Sequence, residues 1–155
     1  MILELVTGEP LLDQARGIFR EYQAALGIDL SFQGFAEELS ALPGKYAPPQ
    51  GRLYLAFAGE SLAGCIALRP LQKKQCEMKR LYVRPQFRGQ KFGRQLADKV
   101  IDDARQLGYT QMLLDTLSTM TAAQQLYSSL GFKDIPPYGC HAVEGTRYMG
   151  LDLTI

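Results

Sequence analysis

A chain of 155 residues fits one ordinary domain and is too short for two. Hydrophobic residues make up 46%, enough for a core, so disorder is not the default expectation. Seventeen basic and sixteen acidic residues leave a formal charge of +1, and nothing in that balance points to nucleic acid or an anionic membrane as partner.

The first strand is expected over Ile2 to Val6. Pro10 suits a helix start, and Leu11, Leu12, Ala15, Ile18, Phe19, Tyr22 and Leu26 follow at helical spacing until Gly27. A second, shorter helix is expected with Ser31 as N-cap and Phe32, Phe35, Leu39 and Leu42 on one face, ended by Pro43-Gly44. Residues 44 to 51 read as a loop. Strands over Arg52 to Ala58 and Leu62 to Leu68 flank a hairpin turn, and another runs from Cys76 to Val83. After a loop from Pro85 to Lys91, an amphipathic helix shows Phe92, Leu96, Ala97, Val100, Ile101, Ala104 and Leu107 on one face, with Gly108 as C-cap. A buried strand follows at Gln111 to Asp115. Ser118 or Thr119 should cap a helix carrying Ala123, Leu126, Tyr127 and Leu130, stopped by Gly131. Phe132 to Ile135 and Thr146 to Leu153 are the last strands, with a Pro-Gly-rich loop between them. The order β-α-α-β-β-β-α-β-α-β-β predicts one α/β domain over residues 1–155, a mixed sheet with helices on both faces.

Three cysteines, Cys65, Cys76 and Cys140, without a CxxC, suit free thiols in a reducing compartment. MILELVTGEP lacks the basic start and long apolar run of a signal peptide, and no apolar stretch approaches the roughly 20 residues of a membrane span. The expectation is a cytoplasmic protein. His141 is the only histidine, so neither a Ser-His-Asp triad nor a metal site is expected.

The segment from Glu77 to Arg94 carries the chemistry. It reads as strand, loop, helix start. A helix N-terminus offers unpaired N–H groups and the positive end of a dipole, so it binds phosphate without side-chain help. Gly89 and Gly93 let the chain turn and approach a ligand. Between Met78 and Ala97 stand Lys79, Arg80, Arg84, Arg88, Lys91 and Arg94, with no acidic residue, a patch beside an anion-binding turn or else a solvated basic loop opening an ordinary helix. No GxGxxG follows the first strand and no GxxxxGK[ST] occurs.

This segment resembles the acetyl-CoA signature of the GNAT superfamily, Gln/Arg-x-x-Gly-x-Gly/Ala. Arg88 fills its first position, Gly93 its last, and Lys91 stands where the middle glycine usually is. "RLYVRPQFRGQKFGRQLADKVIDDA" is similar to the family's strand, loop and helix, and "AQQLYSSLGF" to its downstream helix. "GIDLSFQGFAEEL" and "KYAPPQGRL" resemble bacterial-type members whose substrates are uncharacterised.

The resemblance implies the GNAT fold, a mostly antiparallel twisted sheet, and transfer of acetyl from acetyl-CoA to an amine, with CoA as product. It implies a cofactor site formed by Leu81, Tyr82, Val83, Arg88, Gly89, Gln90, Lys91, Phe92, Gly93, Arg94, Met120 and Tyr127, the strand residues through their backbone. Tyr127 matches the tyrosine that protonates the leaving sulfur. Glu77 matches a glutamate that deprotonates the amine through water, and simple alternation would put it on one face with Leu81 and Val83. Alternatives are a core aromatic for Tyr127 and a solvated glutamate, paired with Lys79, for Glu77. Met120 replaces an asparagine that contacts CoA in many members; Thr119 or Thr121 could take its place.

Phe32, Phe35 and Tyr46, with Tyr138 in the late loop, fall where the family covers its acceptor; for Phe32 and Phe35, on one face of a short helix, packed core is the alternative. Glu37, Glu38 and Asp29 could attract a cationic amine or form a solvated helix face. The expected partner is a small-molecule amine, with a protein amine and an inactive acyl-CoA-binding domain as alternatives. A homodimer, common in the family, stays open.

Overall fold

The computed structural model describes residues 1–27, 34–139 and 144–155. In chain order the elements are β1 (Ile2–Leu5), α1 (Leu11–Leu26), α2 (Phe35–Ala41), β2 (Arg52–Ala58), β3 (Ser61–Pro70), β4 (Gln75–Val83), α3 (Phe92–Gln106), β5 (Gln111–Thr116), α4 (Thr121–Ser129), β6 (Lys133–Asp134) and β7 (Arg147–Asp152). The element order is the one the periodicities predict. Two stretches expected as loops contain 3-10 turns, at Gly44–Tyr46 and Pro85–Phe87.

The strands form one sheet in the order β1-β2-β3-β4-β5-β7-β6. Its neighbours are antiparallel except β4 and β5, which run parallel. Alternation along the strands sends side chains to two cores. Tyr54, Ile66, Leu68, Cys76 and Met78 pack with Leu96, Val100 and Ile101 of α3 and with Tyr127 of α4. Leu53, Leu55, Cys65 and Ala67 pack with Ile18 and Phe19 of α1 and Phe35 of α2. The sheet is therefore covered on both faces, α3 and α4 on one, α1 and α2 on the other.

Helix ends differ from the sequence reading in three places. Met120, not Ser118 or Thr119, is the N-cap of α4, and it makes no side-chain cap bond. Leu107 is the C-cap of α3, and Gly108 follows it with φ 89°. Gly34 is the N-cap of α2; the proposed cap Ser31, with Phe32 and Asp29, lies outside the described residues.

The main correction concerns β4. Between the pairs Cys65↔Tyr82 and Ala67↔Lys79, β4 contains one residue more than β3. The extra residue is a β-bulge, and Arg80 in it has φ 60°. A bulge breaks the two-residue alternation. Cys76 and Met78 face α3, and so do Leu81 and Val83 beyond the bulge, whereas Tyr82 packs with the α1 side. Glu77 consequently lies on the opposite face from Leu81 and Val83, not with them. Gly64 makes the close approach of β3 to this region possible: a Cβ there would meet the Tyr82 carbonyl at 2.7 Å.

Candidate active site

β4 and β5 pair over only three positions, Gln75↔Gln111 to Glu77↔Leu113. Beyond them no pairing joins the two strands among the described residues, although β4 continues to Val83 and β5 to Thr116. The sheet has an opening there. Arg84 N–H donates to the Ala63 carbonyl at 2.8 Å. Antiparallel alternation then turns both backbone groups of Val83 away from β3, toward that opening. The Val83 carbonyl accepts from Arg88 Nε at 3.0 Å.

The loop between β4 and α3 lies at the end of this opening. α3 begins with no side-chain cap and no acidic residue in its first turn. Its first N–H groups, at Phe92, Gly93 and Arg94, thus point out at the positive end of the helix dipole. A Cβ at Gly93 would lie 3.6 Å from Leu126 and 3.9 Å from Val83, both ordinary contacts. The neighbouring side chains therefore do not require glycine; a ligand approaching the backbone would. Arg94 reaches Ser129 Oγ at 3.2 Å, Arg88 lies 5.9 Å from the Tyr82 ring, and Lys91 is exposed without an ion pair among the described residues. These features fit the diphosphate of a coenzyme A.

Lys91 is the N-cap of α3 in the left-handed conformation, φ 65° and ψ 20°. That backbone explains why glycine usually occupies the position in the resembling signature. A side chain there costs about 1–2 kcal/mol, part of which glycine gives back through its freer unfolded state. Lys91→Gly should therefore raise stability by roughly 0.5–1 kcal/mol, measured by thermal unfolding.

In the core on the α3 side of the sheet, Tyr127 is 7% exposed and its ring meets Phe132 at 5.8 Å. Both the core and the functional readings of this residue suit that burial. Its hydroxyl has no hydrogen-bond partner among the described residues. Burial, with a smaller contribution from nearby Tyr22 and Asp115, pushes the phenol well above its ordinary value. Tyr127 therefore keeps its proton.

On the other face lies a cleft of about 720 Å³. Glu77, 2% exposed, stands in its wall. Arg69 Nε donates to Glu77 Oε1 at 2.7 Å, Tyr138 hydroxyl donates to Oε2 at 2.7 Å, and Lys79 Nζ is 3.9 Å from Oε1. Burial alone would raise the Glu77 carboxyl; the Lys79 charge, the Tyr138 hydrogen bond and Arg69 outweigh it and hold the group below its ordinary value. Glu77 is therefore ionised at neutral pH. Burial and the same carboxylate push Tyr138 far above an ordinary phenol. Asp115 of β5 connects the two sides electrostatically: its charge reaches Tyr127, Lys79, Tyr138 and Tyr22.

Of the expected acceptor residues, Tyr138 is in the cleft wall. Phe35 and Tyr46 are not: they are 5% and 0% exposed and belong to the core with α1, Tyr46 lying edge-on to Phe19. Glu38 is neither a lure for a cationic amine nor a solvated carboxylate. It is bonded to Arg80. The sequence reading missed Lys45, Arg69 and Asp115 as site residues. Arg69 could be found only through the pairing Arg69↔Glu77, which no local pattern encodes.

The model of the Acetyltransferase (GNAT) family matches residues 16–132. An uncharacterized N-acetyltransferase of Schizosaccharomyces pombe is 41% identical, covering 92% of this chain and 89% of its own. The resemblance thus reaches beyond bacterial members. Among solved structures, an acetyltransferase of the GNAT family from Staphylococcus aureus superposes with TM-score 0.81 at 21% identity, over 99% of this chain and all of that one. The PaiA N-acetyltransferase of Thermoplasma acidophilum, crystallised with coenzyme A, shares the fold with TM-score 0.70 at 19% identity, covering 98% and 99% of the two chains. With the uncapped helix start, the opened sheet and the buried tyrosine, these likenesses place the chain in the GNAT acetyltransferase family, as an N-acetyltransferase.

Proposed function

We propose that the chain moves the acetyl group of acetyl-CoA onto a primary amine of a small molecule by direct attack, with Glu77 acting through a water as base and Tyr127 as acid. The opening between β4 and β5 supports this reading, because a protonated phenol, Tyr127, belongs to the core on one face of the sheet and an ionised carboxylate, Glu77, to the cleft on the other. Acetyl-CoA would supply the acetyl group as an activated thioester.

The main chain from Arg88 to Arg94 would hold the diphosphate, helped by the charges of Arg88, Lys91 and Arg94. Gly89, Gln90, Phe92 and Gly93 would line that turn, and Met120 would flank it at the start of α4. Leu81, Tyr82 and Val83 would offer backbone groups along the opening. The Val83 N–H is directed where it could stabilise charge on a carbonyl oxygen. Both Glu77 oxygens already accept hydrogen bonds, which favours proton uptake through a bridging water. The cleft volume lies in the range of small-ligand pockets, about 300–1,000 Å³, and favours a small acceptor over a protein. Cys65 and Cys76 are buried free thiols, consistent with a cytoplasmic setting, and no described helix is long and apolar enough to cross a membrane.

A thiol-release assay with an amine panel tests the proposal. Glu77→Gln should lower kcat/KM at neutral pH by about 10²-fold. The deficit should shrink as pH rises toward the amine's own pKa of about 10, where the substrate needs no base. A deficit constant across pH would remove Glu77 from the base position. Coenzyme binding with no thiol release on any amine would indicate a binding domain without turnover.

A further inference from the structure

We infer that the acceptor amine carries an oxyanion, a carboxylate or a phosphate, which docks against Lys45, Arg69 and Lys79 in the cleft beside Glu77. The inference rests on the acetyltransferase reading and adds a substrate class to it. Among the described residues four cationic side chains stand in the cleft wall, Lys45, Arg69, Lys79 and Arg80, against one carboxylate, Glu77. Arg80 is neutralised by two 2.9 Å hydrogen bonds to Glu38. Three cations then face one carboxylate.

Glu77 is shared between two of them, Arg69 at 2.7 Å and Lys79 at 3.9 Å. Lys45 has no ion pair among the described residues. The 3-10 turn Gly44–Tyr46 sets it in the wall, with its ammonium 5.8 Å from the Tyr46 ring. Burial, then the charge of Arg69, push its ammonium below the ordinary value; Glu38 opposes this, and Lys79 and Arg80 reinforce it. Burial also lowers Lys79, with Glu77 opposing and Arg80 and Arg69 adding to the shift. Asp115 lies outside the wall and favours charged Lys79, yet counting it still leaves one cation in excess. A diamine or polyamine entering this cleft would add like charge to a crowded group. An oxyanion would accept charge-assisted hydrogen bonds and relieve the crowding. Its amine end could then lie toward Glu77 while the anionic end takes the outer cations.

The test uses the full chain with saturating acetyl-CoA and matched acceptors: an amino acid against its carboxamide, phosphoethanolamine against ethanolamine, and putrescine. At least one anionic member should exceed its neutral mate by about tenfold in kcat/KM, the pair identifying carboxylate or phosphate. Lys45→Ala should narrow that preference by about tenfold. Preference for the neutral members or for putrescine, or a preference unchanged by Lys45→Ala, overturns the inference. A second measurement reads the anion site without turnover. With CoA filling the diphosphate site, inorganic phosphate at constant ionic strength should stabilise the wild-type chain against heat, and less so Lys45→Ala. No such difference overturns the anion site. Phosphate stabilisation without turnover of any amine would keep the site and refute the transferase reading.

Discussion

Tyr127→Phe is expected to lower kcat by about 10²–10³-fold while leaving the fold intact. The substitution keeps the ring and its contact with Phe132, so the hydrophobic core of α4 is retained. It removes a hydroxyl that has no hydrogen-bond partner among the described residues. The physics of the proton sets the expected character of the defect. Burial holds the phenol well above its ordinary value, whereas a thiol of ordinary acidity titrates near 8.5. Complete transfer from Tyr127 to a departing thiolate is therefore uphill, and the gain comes from a hydrogen bond that strengthens as charge develops on sulfur. The defect should consequently depend on the leaving group. With acetyl thioesters of more acidic thiols, which need less help, the ratio of wild-type to variant rates should fall steadily. A constant ratio across such a series would assign Tyr127 to packing alone, the second reading its sequence context allows.

The legible features of this chain are those encoded over short spans. The 3.6-residue spacing from Phe92 to Leu107 locates α3, and the glycines and basic residues from Arg88 to Arg94 locate the loop and helix start that precede it. Alternation locates β4 but fails within it, because one inserted residue at Arg80 reverses the faces. No property of the sequence Lys-Arg-Leu announces that insertion. It is imposed by the partner strand β3 and by the room Arg80 finds near the rings of Tyr22 and Phe35, 5.7 and 5.4 Å from its guanidinium. The cleft beside Glu77 is less legible for a related reason. Its wall joins Lys45, Arg69, Glu77 and Tyr138, brought together by strand register and by a loop arriving from beyond α4. Phe35 and Tyr46, placed at the acceptor side through the family resemblance, are core residues instead, the alternative already open for Phe35.

Glu38→Ala should destabilise the protein by about 3–5 kcal/mol, the cost of leaving a buried charge without its partner. Arg80 and Glu38 have side chains only 3% and 5% exposed, and they meet through two parallel hydrogen bonds of 2.9 Å. The pair fastens α2 to the bulge of β4. Replacing both residues also removes the buried guanidinium that faced Glu38, so Glu38→Ala combined with Arg80→Met should be less destabilised than Glu38→Ala alone. The reverse order would mean that the bulge itself depends on the guanidinium. The pH dependence gives a separate check. Burial raises the Glu38 carboxyl, but the hydrogen bonds and charge of Arg80 outweigh it and leave the group below its ordinary value of 4.5. A depressed carboxylate contributes stability that is complete above its unfolded pKa and is lost as pH falls through the folded one. Wild-type stability should thus fall more steeply with acid below about pH 4.5 than that of Glu38→Ala. Because the bulge sets which face of β4 holds Glu77 and which holds Val83, the same substitution should also lower kcat/KM in the chain that remains folded. Loss of stability without loss of turnover would separate the pair's structural contribution from the alignment of the site.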